Sequence, residues 1–281
     1  MHNCKGSTTP GTTTLKNPGG ASLLQKEDVK HYRSVVGKLM WLIPLRPDLN
    51  YATKELSRAL QEPTEEDYAK MKHLLKYLAA TRNYEFVISP GDLVSSNRAT
   101  ITTYVDSDWA GCKSTRKSTS GGVLHLNGVC VHHYSRTQTT VALSSGEAEL
   151  YAIGSGVAEA LGLKNFLHEL GIACTITICT DSSAARSITT RHGVTKQTKH
   201  IQLRYLYMQE LVHNGTIKCD KILGTTNPSD ILTKYKALYD VSRHADACGL
   251  RTNLYDFGLR EHTTALQQIT NVTFVKTFTT R

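Results

Sequence analysis

The sequence predicts an α/β protein: a mixed five-stranded sheet with flanking helices, preceded by a small helical segment. Three observations carry this. Residues 28–83 repeat apolar positions at three- and four-residue steps. Residues 101–135 read as three antiparallel strands, the last two joined at Asn127-Gly128, the strongest short hairpin signal. After the hairpin, helical and β-rich stretches alternate up to residue 240, giving the order β-β-β-α-β-α-α-β-α.

The 281 residues suffice for roughly two domains. Hydrophobic residues make up 40% and charged residues 20%, which excludes a collagen-like or wholly disordered chain. No apolar run reaches the ~18 residues of a spanning helix, and the start lacks a signal peptide's apolar stretch. The expectation is an intracellular chain with no membrane partner. Seven cysteines form no C-x-x-C pair, so reduced thiols are expected rather than disulfides or a zinc site. Thirty-three Lys and Arg against 24 Asp and Glu give a charge of +9, which permits a polyanionic partner without requiring one.

Residues 1–27 are rich in Ser, Thr and Gly without periodicity and read as a disordered tail. In the helical segment, 28–98, a first helix carries Val35, Val36, Leu39, Met40 and Ile43, ended by Pro44. A second follows Pro47 with Leu49, Ala52, Leu56 and Leu60 on one stripe. A third starts at Thr64, a cap followed by three acids at the positive end of the helix dipole, and turns Met71, Leu74, Leu75 and Leu78 inward. Phe86–Ile88 reads as a short strand.

In the second domain, 99–240, the first strand alternates over Ile101–Asp108, placing Thr102, Tyr104, Asp106 and Asp108 on one face. Gly121–Leu126 and Val129–Ser135 form the hairpin. A long helix over 144–170 opens on Ser144-Ser-Gly-Glu147, a capping-box pattern, and closes at Gly171. Then come a strand at Ile176–Cys179, a short helix at Ser182–Ile188, a helix over 200–213 and a strand at Thr216–Leu223. A last helix starts at Asn227-Pro228, N-cap followed by Pro at N1. Residues 241–281 are weakly patterned and receive no assignment.

Four acids stand at the ends of these elements: Asp106, Glu149, Asp181 and Asp230. If the strands share one sheet, the four ends converge into a carboxylate cluster that divalent cations would have to neutralise. Hard oxygen ligands favour Mg²⁺ or Mn²⁺, and two such ions about 4 Å apart suit phosphodiester hydrolysis. Each acid also has a plain structural reading. Asp181 can cap the short helix, Asp230 suits N3 of the last, Glu147 fits the capping box, and Asp106 and Asp108 share a solvated face. Spacing alone leaves both readings open.

The stretch after Asp181 holds Arg186, Arg191, Lys196, Lys199 and Arg204 with His192 and His200, and no acid before Glu210. A basic stretch beside an acidic pocket suits a nucleic-acid hydrolase that grips phosphates, and Arg116-Lys117 would extend the track. A solvated helix face is the alternative reading of such a charge run. Gly154-Ser-Gly156 lies inside a helical pattern and is not a serine-hydrolase elbow.

The motifs Tyr104-Val-Asp-Ser-Asp-Trp-Ala-Gly111, Arg116-Lys-Ser-Thr-Ser-Gly121, Val141-Ala-Leu-Ser-Ser-Gly-Glu-Ala-Glu149, Thr198-Lys-His200 and Asp230-Ile-Leu-Thr-Lys234 resemble the ribonuclease H domain of copia-type retrotransposon Pol polyproteins. Tyr32-Arg-Ser-Val-Val-Gly-Lys-Leu39, Arg46-Pro-Asp48 and Leu56-Ser-Arg58 resemble the connection segment that follows the reverse-transcriptase palm in that family. The resemblance covers about residues 31–235. It implies a ribonuclease H-like fold with Asp106, Glu149, Asp181 and Asp230 as catalytic and metal-holding carboxylates. It favours Asp106 over Asp108 and Glu149 over Glu147. It departs from the family at Gly146 for Thr, Leu150 for Tyr, and Cys179-Thr-Asp181 for Cys-Asp.

No Tyr-x-Asp-Asp polymerase motif occurs, so a reverse-transcriptase polymerase domain is an expected partner outside this chain. The expected activity is Mg²⁺-dependent (or Mn²⁺-dependent) cutting of the RNA strand of an RNA–DNA hybrid. The expected setting is a cytoplasmic virus-like particle or the nucleus. The rival readings are an inactive remnant that binds nucleic acid and a structural connection module.

Overall fold

A computed structural model describes residues 6–12, 22–88, 98–191, 193 and 203–251, with residues 203–206 described by backbone only. Helix α1 (Lys26–Leu42) buries Tyr32, Val36 and Leu39, while Met40 at the edge of the predicted stripe stays exposed. Pro44 and Pro47 divide the following chain into two 3-10 turns, Ile43–Leu45 and Pro47–Leu49, before α2 (Asn50–Ser57). Helix α3 (Glu65–Ala80) opens on a complete capping box. The Thr64 hydroxyl oxygen accepts from the Asp67 amide at 3.3 Å, and the Asp67 carboxylate accepts from the Thr64 amide at 3.1 Å. The three helices share a core that includes Leu24, Leu49, Met71, Leu74 and Tyr77.

The expected tail is packed where it is described. The Leu24 amide donates to the Pro63 carbonyl at 3.0 Å and the Glu65 amide to the Ser22 carbonyl at 2.9 Å. Ser7 Oγ meets His73 Nε2 at 2.9 Å, and Pro10 is buried. These contacts run largely through backbone groups and single hydroxyls, which leave no periodic trace in a sequence.

The five-stranded sheet has the order β4-β3-β2-β5-β6, from β2 (Arg98–Asp108), β3 (Thr119–Leu126), β4 (Val129–Thr137), β5 (Ala173–Thr180) and β6 (Lys218–Lys221). The first three strands meander antiparallel, whereas β5 and β6 run parallel to β2, so the sheet is mixed as expected. Asn127 and Gly128 both take positive φ, +49° and +84°, the geometry of a type I′ hairpin turn. Helix α4 (Ser145–Glu169) crosses one face of the sheet. It can lie close because Gly156 faces β2: a Cβ there would stand 2.5 Å from Val105 Cγ1. Helices α5 (Ser183–Thr190) and α6 (Leu203–His213) complete that layer. Together these elements form an α/β architecture, a mixed five-stranded sheet with flanking helices, as expected.

Three expectations are corrected. Asn227-Pro228 opens a 3-10 turn, Pro228–Leu232, rather than a helix. Both ends of that turn are pinned by tertiary bonds: Asn227 Nδ2 donates to the Val105 carbonyl at 2.8 Å, and Thr233 Oγ1 donates to Asp106 Oδ2 at 2.5 Å. The strand expected at Phe86–Ile88 is shorter, β1 (Glu85–Phe86). Residues 241–251, left without assignment, complete a helix, α7 (Leu238–Ala247), and supply a strand, β7 (Leu250–Arg251), that pairs antiparallel with β1.

The helical segment grips the sheet through α2. Lys54 Nζ donates to Thr119 Oγ1 at 2.7 Å, Asn50 Nδ2 lies 3.0 Å from His133 Nδ1, and Tyr51 packs edge-on against Tyr235 at 4.9 Å. No disulfide forms among the described residues, and none of their helices is long and apolar enough to cross a membrane.

Gly121 on β3 lies directly under the 228–233 turn. A Cβ there would stand 2.8 Å from Leu232 Cβ, 2.8 Å from Thr233 Cγ2 and 2.9 Å from the Ser229 carbonyl. Gly121→Ala should therefore lower the urea unfolding free energy by about 1–3 kcal/mol, because the 228–233 turn must move off β3. An unchanged midpoint would show that the turn yields freely.

Candidate active site

Asp106 and Asp181 meet through strand register. The parallel β2–β5 ladder ends at the pair Tyr104–Cys179, and each aspartate stands two residues beyond it. Glu149 comes from the second turn of α4. Its face of the helix also carries Ile153, Gly156 and Ala160, which pack on the sheet, so the close approach at Gly156 presses Glu149 towards the strand ends. Carboxylate oxygens of Asp106, Glu149 and Asp181 all lie within 4.8 Å of one another.

Each acid is held by a different device. Asp106 is 4% exposed; besides the Thr233 hydroxyl, the Lys234 ammonium stands 3.8 Å from Oδ2. Glu149 Oε1 accepts from both the amide and the hydroxyl of Ser107, at 3.1 and 2.9 Å, while Oε2 is buried without a hydrogen-bond partner. Asp181 is half-buried and follows β5 directly, with Gly224 against it: a Cβ there would stand 2.7 Å from Oδ2. Glu147, the competitor of Glu149, bonds the Leu143 amide at 2.8 Å and the Tyr151 hydroxyl, which is a structural role at the start of α4. It therefore satisfies an amide one residue before the one a capping box would use. Asp108 lies on the same face as Asp106 but outside the group of three.

Asp230 does not join the three. Its Oδ1 pairs with Lys234 at 2.7 Å and its Oδ2 with Lys236. Burial alone would raise its pKa, but the two ammonium groups overcome it and hold the carboxyl below its ordinary range. The other acids go the opposite way. Burial, followed by the Asp106 charge, pushes Glu149 up to about 8. Burial also lifts Asp106 to about 6, with Lys234 and the Thr233 hydroxyl pulling it down and the Asp230 and Asp181 charges adding to the rise.

The expected phosphate-binding cations are spread differently. Arg116 is exposed in the loop between β2 and β3, at φ +55°, and Lys117 is half-buried beside it. Arg186 on α5 donates from Nε to the Cys219 carbonyl at 3.0 Å, which ties it to β6, and Arg191 is exposed just after α5. Lys196 and Lys199 lie outside the described residues, as do His192 and His200. Arg204 is placed only by its backbone in α6. The cations that do meet the carboxylates, Lys234 and Lys236, were not among those singled out. Nor were Ser107 and Thr233, which orient Glu149 and Asp106. Only the Asp230–Lys234 spacing of four residues announced a partner.

The residues present fit a hard divalent cation. All donors in the group of three are carboxylate oxygens, they converge from three elements, and Glu149 Oε2 is buried with no proton donor to satisfy it. Such a cluster carries a self-repulsion that a cation relieves.

No protein-family model matches the chain. The retrovirus-related Pol polyprotein from transposon TNT 1-94 of Nicotiana tabacum is 34% identical over 205 residues, covering 72% of this chain and 15% of its own length. That from transposon RE1 of Arabidopsis thaliana is 32% identical over 210 residues, covering 74% of this chain and 14% of its own. The chain thus spans about one seventh of the length of these curated relatives. Among solved structures, RNase H1 from the archaeon Halobacterium salinarum aligns with 48% of this chain and 94% of its own, at 17% identity and a TM-score of 0.36. Over about three quarters of its length, the homologues of this chain are thus retrovirus-related Pol polyproteins from copia-type transposons.

Proposed function

We propose that this chain is the ribonuclease H portion of a retrotransposon Pol protein and hydrolyses the RNA strand of RNA–DNA hybrids. The observation that carries the reading is the meeting of Asp106, Glu149 and Asp181 at the ends of β2, α4 and β5. These three carboxylates would hold divalent cations, Mg²⁺ or Mn²⁺, with Asp230 as the fourth acid of the site. Bound there, such ions supply an acidified water and counter-charge for the leaving oxygen of a phosphodiester.

The chain's own groups prepare the reaction. Ser107 fixes one oxygen of Glu149 and leaves the other free to ligate. Thr233 fixes one oxygen of Asp106. Arg116, Lys117, Arg186, Arg191, Lys196, Lys199 and Arg204 are proposed to hold phosphates on either side of the scissile bond, with RNA told from DNA by its 2′-hydroxyls. The helical segment, 28–98, is proposed as the connection to a polymerase domain.

The test is an end-labelled RNA–DNA hybrid incubated with the purified chain in Mg²⁺ and in Mn²⁺, beside Asp181→Asn. RNA-strand cleavage by the parent chain and its loss in the variant are expected. Intact RNA with the hybrid still bound would overturn the enzymatic reading in favour of a non-cutting binder.

A further inference from the structure

Lys234 is placed as no ordinary surface lysine would be. Its ammonium stands 2.7 Å from Asp230 Oδ1 and 3.8 Å from Asp106 Oδ2, so it bridges the fourth acid to the first. Lys236 holds the remaining oxygen of Asp230. Four site carboxylates against these two ammonium groups leave a formal excess of two negative charges, which one divalent cation neutralises. The residue between the lysines, Tyr235, is anchored the other way, among the core residues of the helical segment and edge-on to Tyr51. The backbone at 234–236 is thereby fixed, while the Lys234 side chain keeps 41% of its surface exposed and has room to swing outward.

We infer that Lys234 is a built-in substitute for a second cation: in the metal-free chain its ammonium occupies the position between Asp106 and Asp230. The inference rests on the carboxylate group being a divalent-cation site, and it adds an order of filling. The first ion enters among Asp106, Glu149 and Asp181. A second ion, sharing Asp106 and Asp230, enters only when Lys234 withdraws, so it binds more weakly. Electrostatic competition of this kind needs no change of backbone, only a rotation of the lysine side chain.

The full chain, stripped of metal with a chelator and exchanged into metal-free buffer, is titrated with Mn²⁺, and the free ion is read by electron paramagnetic resonance. Wild type should bind one ion, with a second at least about tenfold weaker. Lys234→Gln should tighten that second ion by about tenfold, whereas Lys234→Arg, which keeps the charge, should follow wild type. Circular dichroism on each variant confirms that it is folded. A Lys234→Gln isotherm that superposes on wild type, or two equal ions in wild type, overturns the inference while leaving the cation site standing. Absence of Mn²⁺ binding in wild type, or binding indifferent to Asp106→Asn, removes the site and the inference with it.

Discussion

Asp106→Asn is expected to slow RNA-strand cleavage by about a thousandfold in Mg²⁺, equivalent to ~4 kcal/mol of lost charge stabilisation. Asp106 is the hub of the cluster. Its carboxylate lies within 4.8 Å of those of Glu149 and Asp181, accepts the Thr233 hydroxyl, and faces Lys234. Asparagine keeps the size and an oxygen for Thr233, so the fold should survive, but the charge that draws cations is gone. Single-turnover cleavage and thermal unfolding on the same preparation check this. Activity within tenfold of the parent would remove Asp106 from the reaction.

Glu149→Gln should abolish cleavage to a similar degree while making the metal-free protein more stable, in a way that depends on pH. The folded-state pKa of Glu149 is pushed up to about 8, first by burial and then by the Asp106 charge. A raised carboxyl pKa means that the folded chain holds its proton more tightly than the unfolded chain does. The stability supplied by the protonated form is therefore complete below the ordinary glutamate range and disappears as pH rises through about 8. Glutamine mimics the protonated form at every pH. Urea unfolding in the presence of a chelator should give matching free energies for the two proteins near pH 4. Near pH 8.5 the variant should be ahead by about 2–4 kcal/mol. Adding Mg²⁺ should reverse the order, since the ion binds only the parent carboxylate tightly. Equal free energies at both pH values would mean that Glu149 ionises freely in the fold.

The parts of this structure that were legible in the sequence are those with local causes. Thr64 and Asp67 announce the start of α3, Asn127-Gly128 announces the hairpin, and the alternation over Ile101–Asp108 announces a strand with one buried face. The 3-10 turn at Pro228 was hidden because its capping signal, Asn227, matches that of a helix. What stops it is the Asp106–Thr233 bond from 127 residues away. Helix α7 was hidden for another reason: its inward face includes Ser242 and His244 beside Val241 and Ala245, which no apolar stripe reveals. At the site, each acid was visible one at a time; spacing left the choice among neighbours open, and only the resemblance favoured Asp106 and Glu149. Glu147 and Glu149 sit two residues apart on one helix and thus on opposite sides, and only the packing of Gly156 on Val105 decides which side meets the strands. The removal of Asp230 from the group depends on two lysines, one of them, Lys236, with no helical spacing to suggest it.

The short pairing of β1 with β7 has a consequence for how the chain tolerates being cut. Glu85–Phe86 lies just before the sheet begins and Leu250–Arg251 comes after it ends, and the two are hydrogen-bonded side by side. The whole sheet, with its helices, is thus a loop whose two stems are clasped at the neck. A protease that severed residues 89–97 would leave two fragments held together by this clasp, by the α2 contacts to Thr119 and His133, and by Tyr235 in the helical core. Such a nicked protein should elute as one species on gel filtration.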